Sequence, residues 1–106
     1  MQLRIYSFTI DTLRCLAPIV AQIGKHDTDL ARQLRRAASS VALNAAEGDG
    51  SVGGNARLRF RSAHASTQEV RACLDVAEAL GYVDSVDAAL RDRFDRIAAT
   101  LYRLAR

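Results

Sequence analysis

The sequence predicts an all-α fold, an antiparallel up-down-up-down bundle of four helices. Three observations predict it. Apolar residues recur at three- and four-residue spacing along nearly the whole chain. Proline occurs once in 106 residues, and β-type alternation is sparse. Glycines and capping residues interrupt the pattern at short stretches, and short connections set consecutive helices side by side and antiparallel.

The first helix is expected over about residues 3–23. Tyr6, Ile10, Leu13, Ala17 and Val20 form its apolar seam, widened by Leu16, Ile19 and Ile23. Pro18 removes one helical hydrogen bond and predicts a local bend. Gly24 suits the helix end, and Asp27 or Thr28 suits the next N-cap. The second helix is expected over about 28–47. Leu30, Leu34, Ala37, Val41 and Ala45 fall in one sector of it. Arg36, Ser40, Asn44 and Glu47 form a polar ladder beside that seam.

The segment Gly48-Asp49-Gly50-Ser51-Val52-Gly53-Gly54 then predicts a break and reversal. Ser51 or Asn55 suits the cap of a third helix over about 55–80. Its core face is Phe60, Ala63, Thr67, Val70, Leu74 and Ala77. Leu58, Ala65, Ala72 and Val76 lie nearly opposite, so this helix is expected between neighbours, either in the bundle or in an assembly. Gly81 ends it. Asp84 suits the cap of a fourth helix over about 85–105, with Asp87 three residues on. Val86, Leu90, Phe94, Ile97, Leu101 and Leu104 form its seam. Arg91, Asp92, Arg93, Asp95 and Arg96 read as a solvated face. No repeat, low-complexity segment or linker divides the chain, so a single domain is expected over 1–106.

Composition bounds the function. The net charge of +3 is mild, and Lys25 is the only lysine, so nearly all the cationic side chains are arginine. Met1–Phe8 has no apolar block of a signal peptide, and no apolar run approaches the ~20 residues of a membrane span. Cys15 and Cys73 are 58 positions apart with no Cys-x-x-Cys; a single disulfide is possible, but free core thiols of a cytoplasmic protein, with no membrane role, are the expectation.

One pattern is more specific. Gln33-Leu34-Arg35-Arg36-Ala37-Ala38-Ser39-Ser40-Val41, then Asn44 and Ala46-Glu47-Gly48, is followed by Phe60, Ala63, Ser66 and Glu69, and then by Leu80-Gly81-Tyr82-Val83. This resembles the four-helix-bundle proteins encoded in intervening sequences of bacterial large-subunit ribosomal RNA genes, whose pattern is QxRRAxxSIxxNIAEG with F-x-x-A-x-x-S-x-x-E downstream. It is similar also to the accessory protein of diversity-generating retroelements. The resemblance implies a left-handed bundle that assembles into a barrel-shaped homopentamer, with no established activity in most members. The retroelement relative binds nucleic acid and its reverse transcriptase through a basic surface. The chain departs from the pattern at Ala65, often glycine in the family, at Ser51, often basic, and at the extra glycines Gly53-Gly54.

Two readings of the polar ladder compete. Glu47 and Glu69 could form a catalytic carboxylate pair. Alternatively Arg36, Ser40, Asn44, Glu47, Ser66 and Glu69 form a structural network, with a part-buried Glu69 paired to Arg36 and Asn44 satisfying loop backbone. The structural reading is preferred. The glycine-rich segment lacks the Gly-Lys-Ser/Thr and the preceding strand of a phosphate loop. His26 and His64 lack metal-ligand spacing to each other or to the cysteines, so no metal or cofactor is expected. No nucleophile with an ordered base is visible, and no enzymatic activity is expected.

A basic cluster remains. Between residues 30 and 71, seven arginines stand against Glu47, Asp49 and Glu69. Arg32, Arg35, Arg57, Arg61 and Arg71 are the candidate contacts for RNA, DNA or a protein partner. No aromatic residue interleaves with them, so binding is expected to ignore sequence. The expected function is a non-enzymatic, homo-oligomeric, pentameric scaffold with an arginine surface for nucleic acid. The alternative is a purely structural oligomer that presents a surface to another protein.

Overall fold

Four helices occupy most of the described residues, and the connections between them are short. The computed structural model describes residues 4–106. It contains α1 (Arg4–Gly24), α2 (Thr28–Asp49), α3 (Gly53–Ala79) and α4 (Ala88–Leu104), and no strand occurs among the described residues. The expected first residue of the first helix, Leu3, lies outside the described residues. The bundle measures 43 × 24 × 20 Å.

Contacts descend one helix as they ascend the next. Between α2 and α3 they are Gln33 to Glu69, Ser40 to Ser66 and Glu47 to Arg59. Between α3 and α4 they are Arg71 to Asp95 and Asp75 to Arg91. Between α1 and α4 they are Phe8 to Arg96 and Thr12 to Arg93. Between α1 and α2, Gly24 faces Ala31 while Ala17 and Ala38 line one groove. Each of these neighbouring pairs is therefore antiparallel. The α2–α3 contact is the widest and the α1–α4 contact the narrowest.

The seams expected for α2, α3 and α4 are buried, with Leu104 only partly so. In α1 the expected seam is out of phase. The buried face is Ile5, Thr9, Thr12, Leu16, Val20 and Ile23, while Tyr6, Ile10 and Leu13 are half-buried and Ala17 is exposed. Two threonines hold core positions there, and counting apolar residues passes over them. The Thr12 hydroxyl donates to the Phe8 carbonyl at 2.8 Å and accepts from Arg93 Nε at 2.8 Å. Thr67 donates to the Ala63 carbonyl at 2.8 Å in the same way. Thr9 Oγ1 is buried without a hydrogen-bond partner among the described residues. α1 continues through Pro18, which is exposed on the solvent side.

The helix ends follow local chemistry. Asp27 caps α2 by accepting from the Leu30 N–H at 2.9 Å. Asp87, not Asp84, caps α4, accepting from the Ala89 N–H at 3.2 Å. Val52 stands at the N-cap of α3 without a side-chain bond, so neither Ser51 nor Asn55 caps it. Ser51 instead donates to the Glu47 carbonyl at 2.8 Å, closing the end of α2. At the end of α3, the Tyr82 N–H bonds the Ala77 carbonyl at 2.9 Å and the Gly81 N–H bonds the Glu78 carbonyl at 3.0 Å. This paired arrangement needs a left-handed residue, and Gly81 supplies it at φ 74°.

The glycine segment is shorter as a break than expected. α2 runs on through Gly48 and Asp49, and only residues 50–52 lie between α2 and α3. Gly48 is a packing glycine. It is buried, and a Cβ there would stand 2.6 Å from Phe60 Cε1 and 2.8 Å from Cζ. The left-handed conformation falls to Gly53, at φ 59°.

Candidate nucleic-acid and partner interface

The polar ladder of α2 faces α3, as expected, but its partners differ. Ser66 Oγ donates to Ser40 Oγ at 2.8 Å, and Asn44 Nδ2 donates to Ser40 Oγ and to the Ser40 carbonyl, both at 3.0 Å. Asn44 therefore serves its own helix rather than the loop. Glu47 pairs with Arg59 at 3.0 Å, and Glu69 accepts from Gln33 Nε2 at 3.3 Å. Glu69 is exposed, not part-buried, and no ion pair joins it to Arg36 among the described residues. Its position on the rim of α3 leaves it hydrated, so it needs no cationic partner.

This geometry also removes the carboxylate-pair reading. Glu69 lies across from Gln33, at the other end of α2 from Glu47. At 1.5 Å of rise per residue the two carboxylates are about 20 Å apart along the helix, more than twice the widest acid–base spacing for glycosidic chemistry, about 9.5 Å. Glu69 lines an open groove of about 470 Å³ with Asp29, Arg32, Gln33, Arg36, Ser40 and Ser66, and Glu47 is not among its lining residues.

The five candidate arginines do not converge. Arg32 stands 3.7 Å from Asp29 on the exposed side of α2. Arg35 lines the groove between α1 and α2 with Leu13, Leu16 and Val20. Arg71 is held by Asp95 at 2.8 Å and by Gln68 Oε1 at 2.6 Å. Arg61 lines a small groove at the α3–α4 side with His64, Tyr102 and Arg106. Arg57, one turn earlier on α3, has its guanidinium near Gly54.

Several residues of α4 carry more than the solvated face predicted for them. Arg91 bridges Asp75 at 2.9 Å and Glu78 at 2.8 Å. The Arg91 hydrogen bond, then the bond from the Val86 N–H, holds the Glu78 carboxyl below the usual glutamate range. Arg93 lies over the Phe8 ring at 4.0 Å and Arg96 at 4.9 Å, so two guanidinium groups clasp one ring of α1. Tyr102 is exposed beside Arg61, which corrects the expectation that no aromatic stands among the arginines. Its partners are separated in sequence and meet only when α3 and α4 pair. The spacing of Arg61 and His64 on one face was the available signal.

Three further observations complete the surface. Leu58 is 53% exposed and Val76 42%, and Ala65 and Ala72 between them are exposed as well. None of the four described helices covers that stripe. At the opposite end, His26 stacks on Tyr82 at 5.4 Å, and the Tyr82 hydroxyl donates to Asp27 Oδ2 at 3.3 Å. Burial, and then the Asp27 charge, push the Tyr82 phenol up. Both cysteines are free, but only Cys73 is a core thiol, raised by burial and by Glu69, and Cys15 is exposed.

No three His, Cys, Asp or Glu side chains gather as a metal set among the described residues. None of the helices is long and apolar enough to cross a membrane. A family model described as 23S rRNA-intervening sequence protein matches residues 2–103. No curated protein and no solved structure matches the chain.

Proposed function

The chain belongs to the 23S rRNA-intervening sequence protein family, and from that premise we propose that it is a non-enzymatic, self-assembling scaffold of the cytoplasm. The observation that carries this reading is the second apolar stripe of α3. Leu58, Ala65, Ala72 and Val76 share one face, and none of the described residues covers it. A contiguous apolar stripe on a small domain marks an interaction surface. Small residues at its centre let a second backbone approach closely. A second copy of the chain is the occupant, and closed rotation of such contacts gives a ring. The pentamer implied by the family resemblance is the expected size.

In this reading the ring repeats its arginine surface around an axis and contacts the phosphates of RNA or DNA without reading sequence. Arg35, Arg57 and Arg61 are exposed and carry no carboxylate partner among the described residues, which supports that role. Light scattering on a sizing column tests the assembly. A ring is expected, and a monomer at micromolar concentration refutes it. Binding across a salt series tests the nucleic-acid role. Log K should fall with log salt by about 0.9 per phosphate contacted on a duplex, and a flat response refutes it.

A second reading drops the nucleic acid and keeps the oligomer as a surface for another protein. It is favoured by Arg32, Arg59 and Arg71, whose charges are already met by Asp29, Glu47 and Asp95. Absence of nucleic-acid binding at low salt, with the ring intact, selects it.

A further inference from the structure

We infer that Tyr102 and the cationic groove around it form a stacking site for one unpaired base of a single-stranded nucleic acid. The inference rests on the nucleic-acid reading above and names the strand form that this site accepts. The groove holds about 290 Å³ and is lined by Arg61, His64, Tyr102, Ala105 and Arg106, with no carboxylate side chain among them. Ala105 is buried and forms its floor, and Tyr102 is 57% exposed.

The ring is held but not covered. His64 meets it at 5.8 Å with the planes tilted by 56°, which steadies one side. The Arg106 guanidinium stands over the ring at 5.8 Å, at the outer limit of a cation–π contact, and the ring still keeps more than half of its surface exposed. Phe8 makes the contrast. Arg93 lies 4.0 Å over its ring, so that aromatic is already occupied. Tyr102 has its cation farther off and remains 57% exposed.

A ring of this kind recognises the π-face of any base, and the face of a base is free only when it is unpaired. Arg61 and Arg106, which line the same groove, supply the cations for the phosphates that flank the stacked base. Neither has an ion-pair partner among the described residues. A duplex offers phosphates to the same arginines but no base to the ring. The site therefore separates single strands from duplexes without reading sequence.

The test is fluorescence anisotropy with a short oligouridylate strand and a duplex of equal length, using the full chain. The variants are Tyr102→Leu, Tyr102→Phe and the double variant Arg61→Gln/Arg106→Gln. Tyr102→Leu should weaken single-strand binding about tenfold or more and leave duplex binding unchanged, while Tyr102→Phe retains it. The double arginine variant should flatten the salt slope on the single strand by about 1.4. Tyr102→Leu binding the strand like the parent overturns the inference and leaves the nucleic-acid role standing. A parent protein that binds neither probe at low salt removes that role and this inference together. A change of assembly state in Tyr102→Leu, read by light scattering, would assign the patch to a second copy instead and also overturn it.

Discussion

Replacing Gly48 with alanine should destabilise the bundle, although alanine is the better helix former. Gly48 lies inside α2, so the substitution gains about 1 kcal/mol of helix propensity. Against this stands Phe60. The new Cβ would meet three ring carbons at 2.6, 2.8 and 2.9 Å. The ring cannot swing into solvent, because Phe60 is 6% exposed and packs in the core. Overpacking of this kind costs about 1–3 kcal/mol, and three simultaneous contacts place it in the upper half. The expected net loss is about 1–2 kcal/mol, a fall in Tm of roughly 5–10 °C for a domain of this size. Urea melts at fixed protomer concentration measure it, since assembly makes stability concentration-dependent. The same substitution in a Phe60→Leu background removes the ring carbons and should become neutral or stabilising. A Gly48→Ala protein as stable as the parent, or a cost unchanged in that background, would refute the close-approach account.

Three other outcomes follow from the same geometry. A double-mutant cycle on Ser40→Ala and Ser66→Ala should give a coupling of about 0.5–1.5 kcal/mol in urea melts, the value of one hydrogen bond, and additive losses would show that the bond contributes nothing. Glu69→Ala should change stability by less than about 0.5 kcal/mol, because Glu69 is exposed and, among the described residues, accepts a side-chain bond from Gln33 alone. A loss several times larger would return a buried role to it. Glu78 has a lowered pKa in the fold, so its stabilisation is whole above the unfolded glutamate value of about 4.3 and disappears as pH falls through the lowered one. The stability gap between parent and Glu78→Gln should therefore hold at neutral pH and close as pH falls below the ordinary glutamate range; a gap that stays constant contradicts the Arg91 contact.

Much of the fold was legible because α2, α3 and α4 keep their apolar residues in register. Leu30 through Ala45, Phe60 through Ala77 and Val86 through Leu101 are buried as periodicity requires. α1 was misphased because Thr9 and Thr12 are buried while Ile10 and Leu13 are half-exposed. A threonine that bonds its own helix backbone is a core residue that hydropathy counts as polar. The glycine segment was overread for the same kind of reason: composition cannot distinguish a glycine that turns the chain, such as Gly53, from one that makes room for a ring, such as Gly48. At the site, the ladder's direction toward α3 was legible from spacing on one helix. Its pairings were not, because Ser40 with Ser66 and Glu47 with Arg59 depend on the relative height of two helices. Tyr102 was missed on the same ground, its neighbours arriving from α3.

The unequal contacts between neighbouring helices set an order in time. Of the four neighbouring pairs, α1 and α4 share the narrowest face, and Arg93 and Arg96 on Phe8 are prominent polar ties across it. Separating α1 from α4 is thus the cheapest excursion from the native state. The α2–α3 hairpin, with the widest contact and the shared motif, remains closed during it. Amide protons of the outer helices α1 and α4 should therefore exchange ahead of those of the α2–α3 hairpin.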